Sequence, residues 1–101
     1  MANLFKMIKD AAGMQRNMKK LQAELRAKTV EFSRGPVRVA ARGDASIASI
    51  RIEPAALDPQ RAAALESQLV AAVEGALDAA KKLSAEVMQK AMAGMNLPGL
   101  S

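Results

Sequence analysis

Residues 29–53 read TVEFSRGPVRVAARGDASIASIRIE, and the period of their apolar side chains decides the fold. Val30 and Phe32 alternate with Thr29, Glu31 and Ser33; Val37, Val39 and Ala41 alternate with Arg38, Ala40 and Arg42; Ile50 and Ile52 alternate with Ser49 and Arg51. Successive side chains of a strand point to opposite faces, so each run predicts a short strand with one apolar face. Arg34-Gly35-Pro36 separates the first two runs, and Arg42-Gly43-Asp44-Ala45 supplies turn chemistry for the second connection. The expectation is a three-stranded antiparallel meander over about residues 29–53. The Arg42-Gly43-Asp44 tripeptide is spelled like an adhesion motif, but a hairpin turn accounts for it.

On the N-terminal side the period is helical. Leu4, Met7, Ala11, Met14, Met18, Leu21 and Leu25 recur in alternating steps of three and four, a heptad seam that predicts a helix over about residues 3–28. With Leu4 at position a, the basic residues fall at b (Lys19, Arg26), c (Lys6, Lys20) and f (Lys9, Arg16), opposite the seam, and both acids, Asp10 and Glu24, fall at g. Charge at b, c and f is ordinary in any coiled coil; six cations without an acid among them is not. Phe5, at b, stands beside the seam.

On the C-terminal side, Pro54 ends the third strand, and Asp58-Pro59 has the form of an N-cap followed by proline at N1. Ala62, Leu65, Leu69, Ala72, Val73, Ala76, Ala80, Leu83, Val87 and Ala91 then keep helical spacing, predicting a long helix over about residues 59–93. Gly75 marks either a close crossing or a break within it. Gly94 is a candidate cap, with Pro98 and Gly99 stopping the helix ahead of a short tail. The fold class is therefore α+β in a single domain: long helix, three-stranded meander, long helix.

Composition narrows the chemistry. The 101 residues contain no Cys and no His, which removes disulfides, thiolate or imidazole metal sites, a Cys nucleophile and a His general base. The ten acids are scattered, and Gly35 and Gly43 are isolated, so neither a metal-ligand cluster nor a phosphate loop is indicated. The expectations are no enzyme, no metal, no cofactor and no small-molecule substrate. No run approaches the length of a spanning helix, and the N-terminus lacks a continuous apolar leader, so a cytoplasmic protein is expected.

Charge then points to a partner. Residues 1–51 hold eleven Lys and Arg against four Asp and Glu, whereas residues 52–101 hold four against six. That asymmetry favours a polyanion meeting the N-terminal half. With Phe5 and Phe32 the only aromatics, and Phe32 on an apolar strand face, stacking of single-stranded bases is poorly supplied, and phosphate contact to duplex DNA is the better match. An anionic membrane is the weaker choice because the Ala- and Met-rich seam lacks aromatic anchors. The thin core, rich in Ala and Met, also predicts a homodimer held by the sheet and by the helix seam at Met7, Met14, Met18, Leu21 and Leu25. The Met clusters, Met88, Met92 and Met95 included, read as core or helix interface rather than as a peptide groove.

Three segments resemble the YbaB/EbfC nucleoid-associated protein family. They are Ile8-Lys9-Asp10-Ala11-Ala12-Gly13-Met14-Gln15 through Met18-Lys19-Lys20-Leu21-Gln22-Ala23-Glu24-Leu25 to Lys28-Thr29-Val30-Glu31; Val37-Arg38-Val39, Gly43 and Ile50-Arg51-Ile52-Glu53-Pro54; and Met88-Gln89-Lys90 with Gly94-Met95-Asn96-Leu97-Pro98-Gly99-Leu100. The resemblance implies a small bacterial protein of the cytoplasm and nucleoid. It implies a homodimer with protruding helices like tweezers that binds duplex DNA without cofactor or catalysis. Binding is attributed to those helices, which here carry Lys9, Arg16, Lys19 and Lys20, with Lys6 at the open end, and Lys81, Lys82 and Lys90 in the last. Two departures stand out: Glu74-Gly75 replaces the family's usual Asn-Asp, and Phe32-Ser33-Arg34-Gly35-Pro36 replaces small or Gly-rich residues. The competing expectation is a helical interaction or assembly module that uses the heptad seam and does not bind DNA.

Overall fold

The change of period after Lys28 is where the first helix gives way to the sheet. In the computed structural model, which describes residues 3–94, α1 spans Asn3–Ala27, followed by strands β1 (Thr29–Arg34), β2 (Val37–Arg42) and β3 (Ile47–Ile52), and then α2 (Ala62–Gly94). Met95, Pro98 and Gly99, expected to finish the last helix, lie outside the described residues. The sheet is antiparallel in the order β1-β2-β3, as the alternation predicts.

Each connection follows from its residues. Gly35 takes φ 56° at the first position of the two-residue β1–β2 loop, a conformation that costs a side-chain-bearing residue and not glycine. In the β2–β3 turn, Asp44 accepts from the Ser46 amide and hydroxyl, and the Ser46 hydroxyl chiefly holds the Asp44 carboxyl below its ordinary value. Gly43 donates to the Lys28 carbonyl at 3.0 Å, and a Cβ there would lie 2.7 Å from the Leu25 carbonyl oxygen. The base of α1 is thereby clamped to the turn.

The start of the second helix differs slightly from expectation. Pro54–Ala56 and Pro59–Arg61 are short 3-10 turns, and the α-helix begins at Ala62 rather than at Pro59. The Asp58 carboxylate accepts from the Gln60 amide at 3.0 Å, and the Arg61 amide donates to the Asp58 carbonyl at 2.9 Å. The cap thus closes the tighter three-residue turn first.

The core lies between α2 and the sheet. Val37, Val39 and Ala41 of β2 and Ala72, Ala76 and Ala80 of α2 are fully buried, and Val30, Phe32, Ile52, Leu65, Leu69 and Val73 pack around them. Alanines one turn apart let the helix axis come close to the strands. A break at Gly75 does not occur: α2 is continuous from Ala62 to Gly94. Glycine stands there because a Cβ would come within 2.3 Å of the Phe32 ring. Phe32 and Gly75 are therefore two sides of one contact, a large ring on β1 received by a helix position without a side chain.

Candidate nucleic-acid interface

Two consequences of this packing shape the surface. The first is length: the Cα radius of gyration is 20.0 Å, with extents of 72 × 25 × 17 Å, against about 13 Å for a compact chain of this size. The second is that α1 meets the rest of the protein only near its C-terminal end. Leu25 is buried and Leu21 half-buried, whereas Leu4, Met7, Met14 and Met18 are all more than half exposed. Of the five residues expected at a dimer interface, Leu25 is thus committed within its own protomer, and Met7, Met14 and Met18 remain open.

All eight candidate DNA-contacting residues are exposed: Lys6, Lys9, Arg16, Lys19 and Lys20 on α1, and Lys81, Lys82 and Lys90 on α2. Among the described residues the one ion pair is Lys28 with Glu24 at 3.4 Å, so none of the eight has a carboxylate within salt-bridge distance. On α1, Lys9 to Lys20 covers about 17 Å of rise at 1.5 Å per residue, a length over which a duplex presents about ten phosphates. The α2 lysines form no comparable stripe. Asp78 stands four residues before Lys82, and Glu86 four before Lys90, so those charges alternate in sign along the helix.

The outer face of the sheet is mixed in sign. Ser33, Arg38 and Arg51 lie side by side across the strands, and Glu31 shares with Arg38, Ala40, Ser49 and Arg51 a shallow hollow of about 180 Å³. Arg42 is occupied by the turn, donating to the Ser46 hydroxyl and the Ile47 carbonyl. The α1 arc, by contrast, presents Lys9, Arg16, Lys19 and Lys20 exposed and outside the one ion pair among the described residues.

One apolar surface escaped sequence reasoning. α2 covers β1 and β2 and scarcely reaches β3, leaving Ile47 and Ile50 exposed, and Leu57 and Val70 are open as well. Strict alternation sets Ile47 on the face opposite Ile50, but the register slips between Ala40 and Ala41, so that Ala41 pairs with Ile47 and Ala40 with Ser49. This bulge returns Ile47 to the apolar face. On α2, Val73 and Leu77 are each about 160° around the helix from Gly75. Gly75 faces Phe32 on β1, so that flank, half-buried at both residues, turns toward the β3 side.

With the geometry in place, comparison with known proteins is informative. The model of the YbaB/EbfC DNA-binding family matches residues 1–95. The chain belongs to that family. A nucleoid-associated protein of Thermoanaerobacter sp. (strain X514) is 42% identical over 100 residues, covering 97% of this chain and 90% of the relative. One from Gluconacetobacter diazotrophicus is 34% identical, covering 97% and 94%. The crystal structure of an uncharacterized Helicobacter pylori protein superimposes with a TM-score of 0.72 at 15% identity, covering 85% of this chain and 92% of that one. It shares the fold. Among the described residues no helix is long and apolar enough to cross a membrane.

Proposed function

We propose that this YbaB/EbfC protein acts in the bacterial nucleoid as a homodimer that binds duplex DNA through its phosphates and without marked sequence preference. The observation carrying this reading is the α1 arc: Lys9, Arg16, Lys19 and Lys20, with Lys6 toward the tip, exposed and without carboxylate partners on a helix that projects from the core. Lys and Arg on a helix face suit phosphate oxygens better than a defined set of base edges. The names of the relatives agree with nucleoid association. Lys81, Lys82 and Lys90 contribute less because acids alternate with them.

Dimerisation is supported by the apolar surface one protomer leaves open, the α1 seam at Met7, Met14 and Met18 and the β3 flank at Ile47 and Ile50, since a soluble chain seldom exposes so much apolar surface on its own. A two-fold pair would place two α1 arcs on one assembly. The role read here is architectural.

The test is a titration of random-sequence duplex with the wild-type protein at several salt concentrations. With about four to eight phosphates neutralised per dimer, log K against log[salt] should fall with a slope of about −4 to −7. Sedimentation should give about twice 10.7 kDa. A flat salt response, or one sequence preferred by orders of magnitude, contradicts the reading, and a monomer with no affinity for duplex would favour a helical assembly module instead.

A further inference from the structure

Phe5, expected beside the seam, lies instead on the opposite side of α1, within the basic arc. At 100° per residue, Phe5 is within about 60° of Lys9, Arg16 and Lys20 around the helix axis, in the middle of the cationic stripe, and roughly opposite Met7, Met14 and Leu25. It is also 82% exposed. A second copy that covered the seam would therefore leave the Phe5 ring uncovered. Ile8, 60% exposed, borders it on the same side, between the stripe and Leu4. Farther along α1 the stripe holds only Ala12, Gly13, Ala23, Ala27 and polar or charged residues, so large apolar side chains cross from the seam onto the cationic face at the tip alone.

A stripe that draws the helix onto a phosphate backbone brings this ring to the same surface. The ligand that offers anionic oxygens outside and stacked apolar faces within is a nucleic-acid duplex. Resting on the DNA-binding reading above, we infer that Phe5 is a wedge that inserts its ring at a base step and kinks the duplex, while the basic residues behind it hold the backbone. Partial insertion of an apolar side chain unstacks one step and bends the helix axis, which lets more of the duplex meet the protein. The cationic residues supply affinity and salt dependence, and Phe5 supplies deformation. The chain contains no Trp, so Phe5→Trp places a single reporter at the tip.

The experiment uses a random-sequence duplex labelled at both ends for energy transfer, titrated with wild type, Phe5→Ala and Phe5→Trp. Wild type should shorten the end-to-end distance as expected for a kink of roughly 20° or more. Phe5→Ala should bind within about tenfold of wild type, with the same salt slope, and leave the duplex straight. Phe5→Trp should kink the duplex and show tryptophan emission quenched by the neighbouring base. Equal bending by wild type and Phe5→Ala, no bending by either, or Phe5→Trp emission unchanged in the duplex complex would each overturn the wedge while leaving DNA binding intact. Quenching with single strands and not with duplex would overturn it too, in favour of base stacking. No duplex binding by wild type at all would overturn the wedge together with the reading on which it rests.

Discussion

The two long helices carry the same kind of pattern and meet different fates. α2 turns a stripe of small residues, Ala72, Ala76 and Ala80, onto the sheet and buries it completely; α1 carries larger residues, Met7, Met14 and Met18, and leaves them in solvent. Periodicity marks the apolar side of a helix in both cases, but side-chain size separates them. Alanine permits close approach to a surface already present in the chain, whereas long flexible methionines suit a surface brought by another molecule. One helix builds the core and the other reaches out of it.

The largest expected effect breaks this contrast most directly. Placing a carboxylate at fully buried Ala76, as Ala76→Asp, strands a charge in the core at a cost of several kcal/mol and should abolish cooperative thermal unfolding. The equivalent insult on α1, Met14→Asp, falls on a residue 69% exposed in the protomer. It should keep the circular dichroism of the fold and reduce the sedimenting mass toward 10.7 kDa. Unfolding by Met14→Asp with an unaffected Ala76→Asp would reverse the assigned roles.

A smaller effect compares one glycine from each helix. Gly75→Ala pushes a Cβ into the Phe32 ring and should destabilise by about 1–3 kcal/mol. Adding Phe32→Leu should recover part of that loss, so the double-mutant cycle should show coupling of about 0.5 kcal/mol or more. Gly13→Ala meets nothing within 4 Å and should stabilise α1 by up to about 1 kcal/mol, visible as a modest gain in helical signal with unchanged oligomeric state.

Much of this was legible before the structure. The alternation in residues 29–53 announced three strands because half-buried strands must alternate, and Val37, Val39 and Ala41 are fully buried as that pattern requires. Ile47 was not legible, since a bulge inverts the phase of alternation and leaves no mark in composition. The Phe32–Gly75 contact was hidden as well: each residue looked like a separate irregularity until the helix was laid over β1. In the candidate site, the sign and spacing of the α1 cations were plain from the heptad. Their lack of carboxylate partners was not, because it depends on which elements α1 avoids. The weakness of the α2 lysines could have been read from Asp78 and Glu86, whose spacing to Lys82 and Lys90 is local.

The central claim is that the α1 arc, and not the sheet, meets DNA. Two variants of equal simplicity decide it by fluorescence anisotropy with random duplex across a salt series: Arg16, Lys19 and Lys20 all changed to Gln, and Arg38 with Arg51 changed to Gln. Losing three charges per chain should weaken binding at least about tenfold and flatten the salt slope, while the dimer persists because b, c and f positions face away from the seam. The strand pair should bind nearly as wild type with the full slope. Loss of binding by the strand pair, with the helix triple unaffected, would place DNA on the sheet and contradict the account.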